Sequence, residues 1–151
     1  MRKPIATVLR AYAALLLTAA IALPATAAEY LTSGETESLG LPFSDAVRAG
    51  GLLILSGQVG NLPGSLQLAP GGIRAEARQA LENVKRILEA NGSSMEKIVK
   101  CTVMMADISE WGVFNEVYVT YFPGNKPARS AFGANGLAVG ARVELECWAE
   151  G

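Results

Sequence analysis

The chain has 151 residues, 50% of them hydrophobic, 18% charged and 7% aromatic, with two cysteines, no histidine and a formal charge of −1. The lack of histidine excludes Ser-His-Asp and Cys-His catalysis and nearly every zinc, copper or non-haem iron site. No basic cluster is present, which argues against a nucleic-acid or anionic-membrane surface and leaves a small molecule as the expected partner.

Residues 1–10 carry Arg2, Lys3 and Arg10 with no acid, residues 11–23 are apolar or small throughout, and Pro24 to Ala28 ends in small residues. This pattern predicts a secretory signal peptide over 1–28, cleaved after Ala27 or Ala28. The alternative is an uncleaved anchor, but the apolar run falls short of the roughly 20 residues a membrane-spanning helix needs. Cleavage leaves ten basic against fourteen acidic residues in 29–151, a mildly acidic single domain long enough to bury a core.

Along 29–151, hydrophobic periodicity predicts strands at 43–48 and 51–57 around the Ala49-Gly50-Gly51 turn, and a short third strand at Ser65 to Leu68. Ala77, Leu81, Val84 and Leu88 recur at helical spacing, so a helix is expected from about Ile73 to Ala90, stopped by Asn91-Gly92. Residues 98–106 read as a covered strand. A second helix follows, with Asp107 and Glu110 as a capping box and Trp111, Phe114, Tyr118 and Tyr121 on its apolar face. Strands at 128–133 and 141–149 close the chain. The order β-β-β-α-β-α-β-β predicts an α+β layer, a sheet with two helices on one face and the other face left for oligomerisation. Cys101 and Cys147 lie in strand-like surroundings, where they can pair or stay as buried thiols.

Three places can carry chemistry. Arg129 starts a strand after Pro127, where its planar fork can hold a carboxylate or phosphate, or simply be solvated or ion-paired. Alternation in Val143-Glu144-Leu145-Glu146-Cys147 puts both glutamates on one face. There they meet solvent, pair with Arg129 or Arg142, or line a cavity in which one positions a water. Ser56-Gly57-Gln58 reads as a strand end or a turn.

Taken together, SGQ at 56–58, ARQALENVKRILEANG at 77–92, IVKCTVMMAD at 98–107, FNEVY at 114–118, PARS at 127–130 and RVELE at 142–146 resemble the reactive intermediate deaminase (Rid, YjgF-like) family. The resemblance implies a chorismate mutase-like α+β fold, assembled as a barrel-like homotrimer with three clefts between subunits. It also implies hydrolysis of reactive 2-imino acids and enamines, such as 2-aminoacrylate, to 2-keto acids and ammonia, with no metal or organic cofactor. Carried over position by position, Arg129 matches the arginine that grips the substrate carboxylate, and Glu144 the glutamate associated with the hydrolytic water. Ser56, Gly57 and Asn115 match other cleft positions. Phe43 stands where many members have a tyrosine, Ala131 where many have a cysteine, and the loop from Pro123 to Lys126 is shorter than usual. A leader peptide points to the periplasm and leaves the physiological substrate open. The competing reading is a non-catalytic trimeric binder of small carboxylates, or a protein-protecting factor, using the same clefts.

Overall fold

The computed structural model describes residues 27–151; the leader expected at 1–28 lies outside the described residues except for Ala27 and Ala28. In chain order the elements are β1 (Glu29–Leu31), α1 (Gly34–Ser38), β2 (Ala46–Ala49), β3 (Leu52–Leu55), β4 (Gln58–Val59), α2 (Ile73–Ala90), β5 (Ile98–Met105), α3 (Trp111–Tyr118), β6 (Ala128–Gly133) and β7 (Val143–Glu150). The strands form one seven-stranded mixed sheet in the order β1-β2-β3-β7-β5-β6, with β4 also pairing β7. Only β5 and β6 run parallel; the other pairings are antiparallel. Among the described residues no helix is long and apolar enough to cross a membrane.

Helix α2 covers one face of the sheet because its apolar stripe leaves no alternative: Ala77, Ala80, Leu81, Val84 and Leu88 are fully buried. It ends at Asn91, and Gly92 takes a φ of 77°, where a side chain would be strained. Helix α3 buries Phe114, Val117 and Tyr118 on the same layer. Facing both helices are Leu53, Leu55, Cys101, Val103, Met105, Val143, Leu145 and Cys147. The opposite sheet face carries Val47, Ile54, Met104, Phe132 and Trp148, the last two 49% and 37% exposed.

Cys101 and Cys147 sit opposite each other on β5 and β7 and form a disulfide with no solvent exposure. It closes a loop of 46 residues in sequence separation. Reduction is therefore expected to lower unfolding free energy by about 2–4 kcal/mol, read as a lower denaturant midpoint with and without dithiothreitol; an unchanged midpoint contradicts the pairing.

Four expectations need correction. Ser65 to Leu68 form no strand: Leu62 N–H donates to Gln67 O, Asn61 Nδ2 to Ser65 O, and only an isolated bridge joins Asn61 to Leu68. A loop that satisfies its polar groups internally has nothing to gain from a ladder. Second, Asp107 and Glu110 make no capping box. Asp107 caps a single 3-10 turn at Ile108–Glu110 through Ser109 N–H, while the Glu110 carboxylate is claimed by Arg142 at 2.6 Å. Third, Trp111 stays 44% exposed, so the buried face of α3 begins at Phe114. Fourth, β1, α1 and β4 are additional elements; α1 is capped by the Ser33 hydroxyl, which accepts from Thr36 N–H.

The break between β3 and β4 matters most for the site. Ser56 remains tied to the β2 side, donating its N–H to Asp45 O and its hydroxyl to Ser44 O. Past the break, buried Asn83 of α2 donates to Val59 O at 3.1 Å and Asn61 O at 2.9 Å. Gly60 lies so close to the α2 backbone that a Cβ there would fall 2.6 Å from Glu76 Cα. These contacts fix where the Ser56-Gly57 segment crosses β7.

Candidate active site

Strand register decides which candidate residues can meet. Cys101 aligns with both Arg129 and Cys147, which places Arg129 on the helix-covered face. Met104 aligns with Glu144 and Phe132, so Glu144 belongs to the opposite face. Within one chain the expected carboxylate-binding and water-binding residues do not converge; the structure separates the seven candidate positions into two groups.

The first group surrounds a cavity of about 730 Å³, whose lining includes Phe43, Ser56, Gly57 and Glu144. The Glu144 carboxylate is half-buried and makes no hydrogen bond or ion pair among the described residues. Burial raises its pKa above the ordinary carboxylate value, and the neighbouring Glu146 charge raises it further. Glu146 itself is occupied, accepting from Trp148 Nε1 at 3.0 Å. Gly57 makes room for the acid: a Cβ at that position would fall 1.9 Å from Glu144 Oε1. The missing side chain here serves the carboxylate rather than a turn, and Gly57 has no positive φ.

Gly57→Ala would push the carboxylate aside, since a flexible side chain yields before the sheet does. The expected result is an activity lower by about 10²-fold, as a misplacement near 1 Å gives, with a melting temperature within about 3 °C of wild type. Full activity in this variant would show that Glu144's observed position is not the working one.

The second group forms a smaller hollow of about 360 Å³ lined by Asn115, Tyr118, Val119, Phe122, Lys126, Pro127 and Arg129. The Arg129 guanidinium carbon lies 4.6 Å from the Tyr118 ring centroid and 5.8 Å from those of Trp111 and Phe114. These contacts hold the fork from the side while leaving its donors free, and no acid among the described residues pairs with it. The buried Tyr118 hydroxyl has no hydrogen-bond partner. Its pKa is raised by burial, and the Arg129 charge opposes that rise. Ala131, two residues along β6, packs against the core on the same face and offers no reactive group. Arg142, which sequence alternation left as a possible partner for Glu144, instead binds Glu110 and, through its backbone N–H, the buried Glu76.

A single mixed sheet with its helices layered on one face is an α+β architecture shared with known proteins. The family model described as endoribonuclease L-PSP matches residues 36–151, and the chain belongs to this family, that of the YjgF/Rid proteins. The mouse protein named 2-iminobutanoate/2-iminopropanoate deaminase is 48% identical over 105 residues, covering 70% of this chain and 78% of that protein. The human protein of the same name is 44% identical over 105 residues, covering 70% and 77%. Among solved structures, the Yersinia pestis Rid-family protein YyfA superposes with a TM-score of 0.77 at 32% identity, covering 83% of this chain and all of that one. Escherichia coli TdcF with bound serine gives 0.69 at 32%, covering 73% and 88%.

Proposed function

We propose that the protein hydrolyses reactive 2-imino acids and their enamine tautomers to 2-keto acids and ammonia. The observation that carries this reading is the Glu144 carboxylate, half-buried, unpartnered and with its pKa raised by burial and by Glu146, in a chain 44–48% identical to proteins named as imine deaminases.

The Arg129 fork accepts the substrate carboxylate bidentately and fixes the plane of the imine. A water held by Glu144 loses a proton to the carboxylate as its oxygen bonds to C2 of the protonated imine. That proton then passes to nitrogen; as the C–N bond breaks, Glu144 takes the proton of the carbinolamine hydroxyl and hands it to the departing ammonia, which leaves as ammonium with the 2-keto acid behind. The imine is already electrophilic, so proximity and one base supply most of the catalysis.

Because Arg129 and Glu144 lie on opposite sheet faces, a complete site needs the Arg129 group of one copy set against the Glu144 group of another. A homotrimer, with the apolar face of Ile54, Met104 and Phe132 turned inward, supplies that arrangement. The serine bound to TdcF supports a ligand with an amino acid's carboxylate. Export to an oxidising compartment is the matching reading of location, supported by the leader-like residues 1–28 and the buried Cys101–Cys147 disulfide. The reaction is tested by trapping imines from an amino acid oxidase with semicarbazide. Wild type should lower the semicarbazone yield and accelerate keto acid release; a yield unaffected by the protein leaves only the carboxylate-binding alternative.

A further inference from the structure

Val139 is the only non-glycine with positive φ among the described residues, at φ 52° and ψ 19° in the turn Ala138–Gly140. A β-branched residue is among the least suited to this conformation, which glycine adopts freely and asparagine tolerates. The turn is closed through its backbone, with Gly140 N–H donating to Leu137 O and Ala141 N–H to Ala138 O, so nothing in the hydrogen bonding requires valine. Its side chain is not core either: it is 50% exposed and lines the Glu144 cavity, as does the similarly exposed Phe43. Strain retained at a cavity wall, where it benefits neither core nor turn, points to a role toward what enters the cavity.

We propose that Val139 is a specificity-determining residue: with Phe43 it forms an apolar wall for the substrate side chain, selecting 2-imino acids with branched aliphatic side chains over the alanine-derived one. The proposal rests on the imine deaminase reading above. Phe43 and Val139 line the same cavity as Glu144, so an imine whose C2 is attacked beside Glu144 can set its C3 substituent against them. Each methylene set against such a wall favours the larger substrate.

The test compares kcat/KM for imines made enzymatically from leucine and from alanine, using wild type, Val139→Gly, Val139→Asn and Val139→Ile. Wild type is expected to prefer the leucine-derived imine by about tenfold. Val139→Ile should keep that ratio, whereas Gly and Asn should abolish it, and Asn should also raise the melting temperature by about 2–5 °C through relief of strain. A wild type active on both imines without that preference, or a ratio unchanged in Val139→Gly and Val139→Asn, overturns the proposal. A valine that merely packs against another copy would alter oligomeric mass or stability and leave the ratio intact, which also overturns it. Inactivity on every imine instead removes the underlying deaminase reading, and is recognised by the absence of any turnover from which to form a ratio.

Discussion

Glu144→Gln is expected to lower kcat for imine hydrolysis by about 10²–10⁴-fold, the contribution of a positioned general base, without loss of stability. The amide keeps the shape of the carboxylate, so it still fits beside Gly57, but it cannot take the water's proton. The stability half of the expectation follows from the sign of the pKa shift. Burial, then Glu146, raises the Glu144 pKa. Such an acid contributes stability when protonated, below its ordinary pKa, and that contribution is lost as pH rises through the higher folded value. At neutral pH the ionised Glu144 is therefore a mild burden, and the glutamine variant should melt at or above the wild-type temperature. For the same reason the acid limb of the wild-type kcat/KM profile should lie above the ordinary carboxylate range, and Glu146→Gln should move it to lower pH. A Glu144→Gln variant that keeps activity, or a limb at the ordinary carboxylate pKa, would show that another group is the base.

Arg129→Ala is expected to reduce kcat/KM by about 10²–10³-fold, the scale of removing one partner from a desolvated charge pair, with most of the change in KM. A carboxylate held equally in substrate and transition state appears in KM rather than kcat. Arg129→Lys should rescue little, because an ammonium offers neither the bidentate fork nor the stacking on Tyr118 at 4.6 Å. The fold should tolerate both changes, as no ion pair or hydrogen bond of the described residues depends on the Arg129 head group. Equal KM values for Arg129→Ala and wild type would remove the residue from the site.

The elements that carry the core were legible because each is long and periodic: α2 runs from Ile73 to Ala90 as expected, and β5, β6 and β7 lie within two residues of their predicted bounds. Short elements were not. Strand β1 has three residues and β4 two, and both exist through pairing with distant partners rather than through local pattern. Helix α1 did carry a signal, Ser33 followed by acidic Glu35, that a closer reading of capping would have found. The arrangement of the candidate site residues was not legible. Alternation correctly put Glu144 and Glu146 on one face, yet only the register Cys101–Arg129 against Met104–Glu144 shows that Arg129 belongs to the other. Val139 left no trace in sequence, since a left-handed backbone at a valine contradicts every local preference.

The central claim is that the guanidinium and the acid of one working site come from different copies of the chain, and mixing impaired variants tests it. Arg129→Ala and Glu144→Gln, each lowered at least about 10²-fold in kcat/KM, are unfolded, combined in equal amounts, refolded together and assayed at substrate well below KM. In a cyclic assembly with random mixing, about one quarter of the sites then receive both Arg129 and Glu144, and the mixture should regain about a quarter of wild-type activity. A mixture that forms mixed oligomers yet stays as slow as its components would contradict the account.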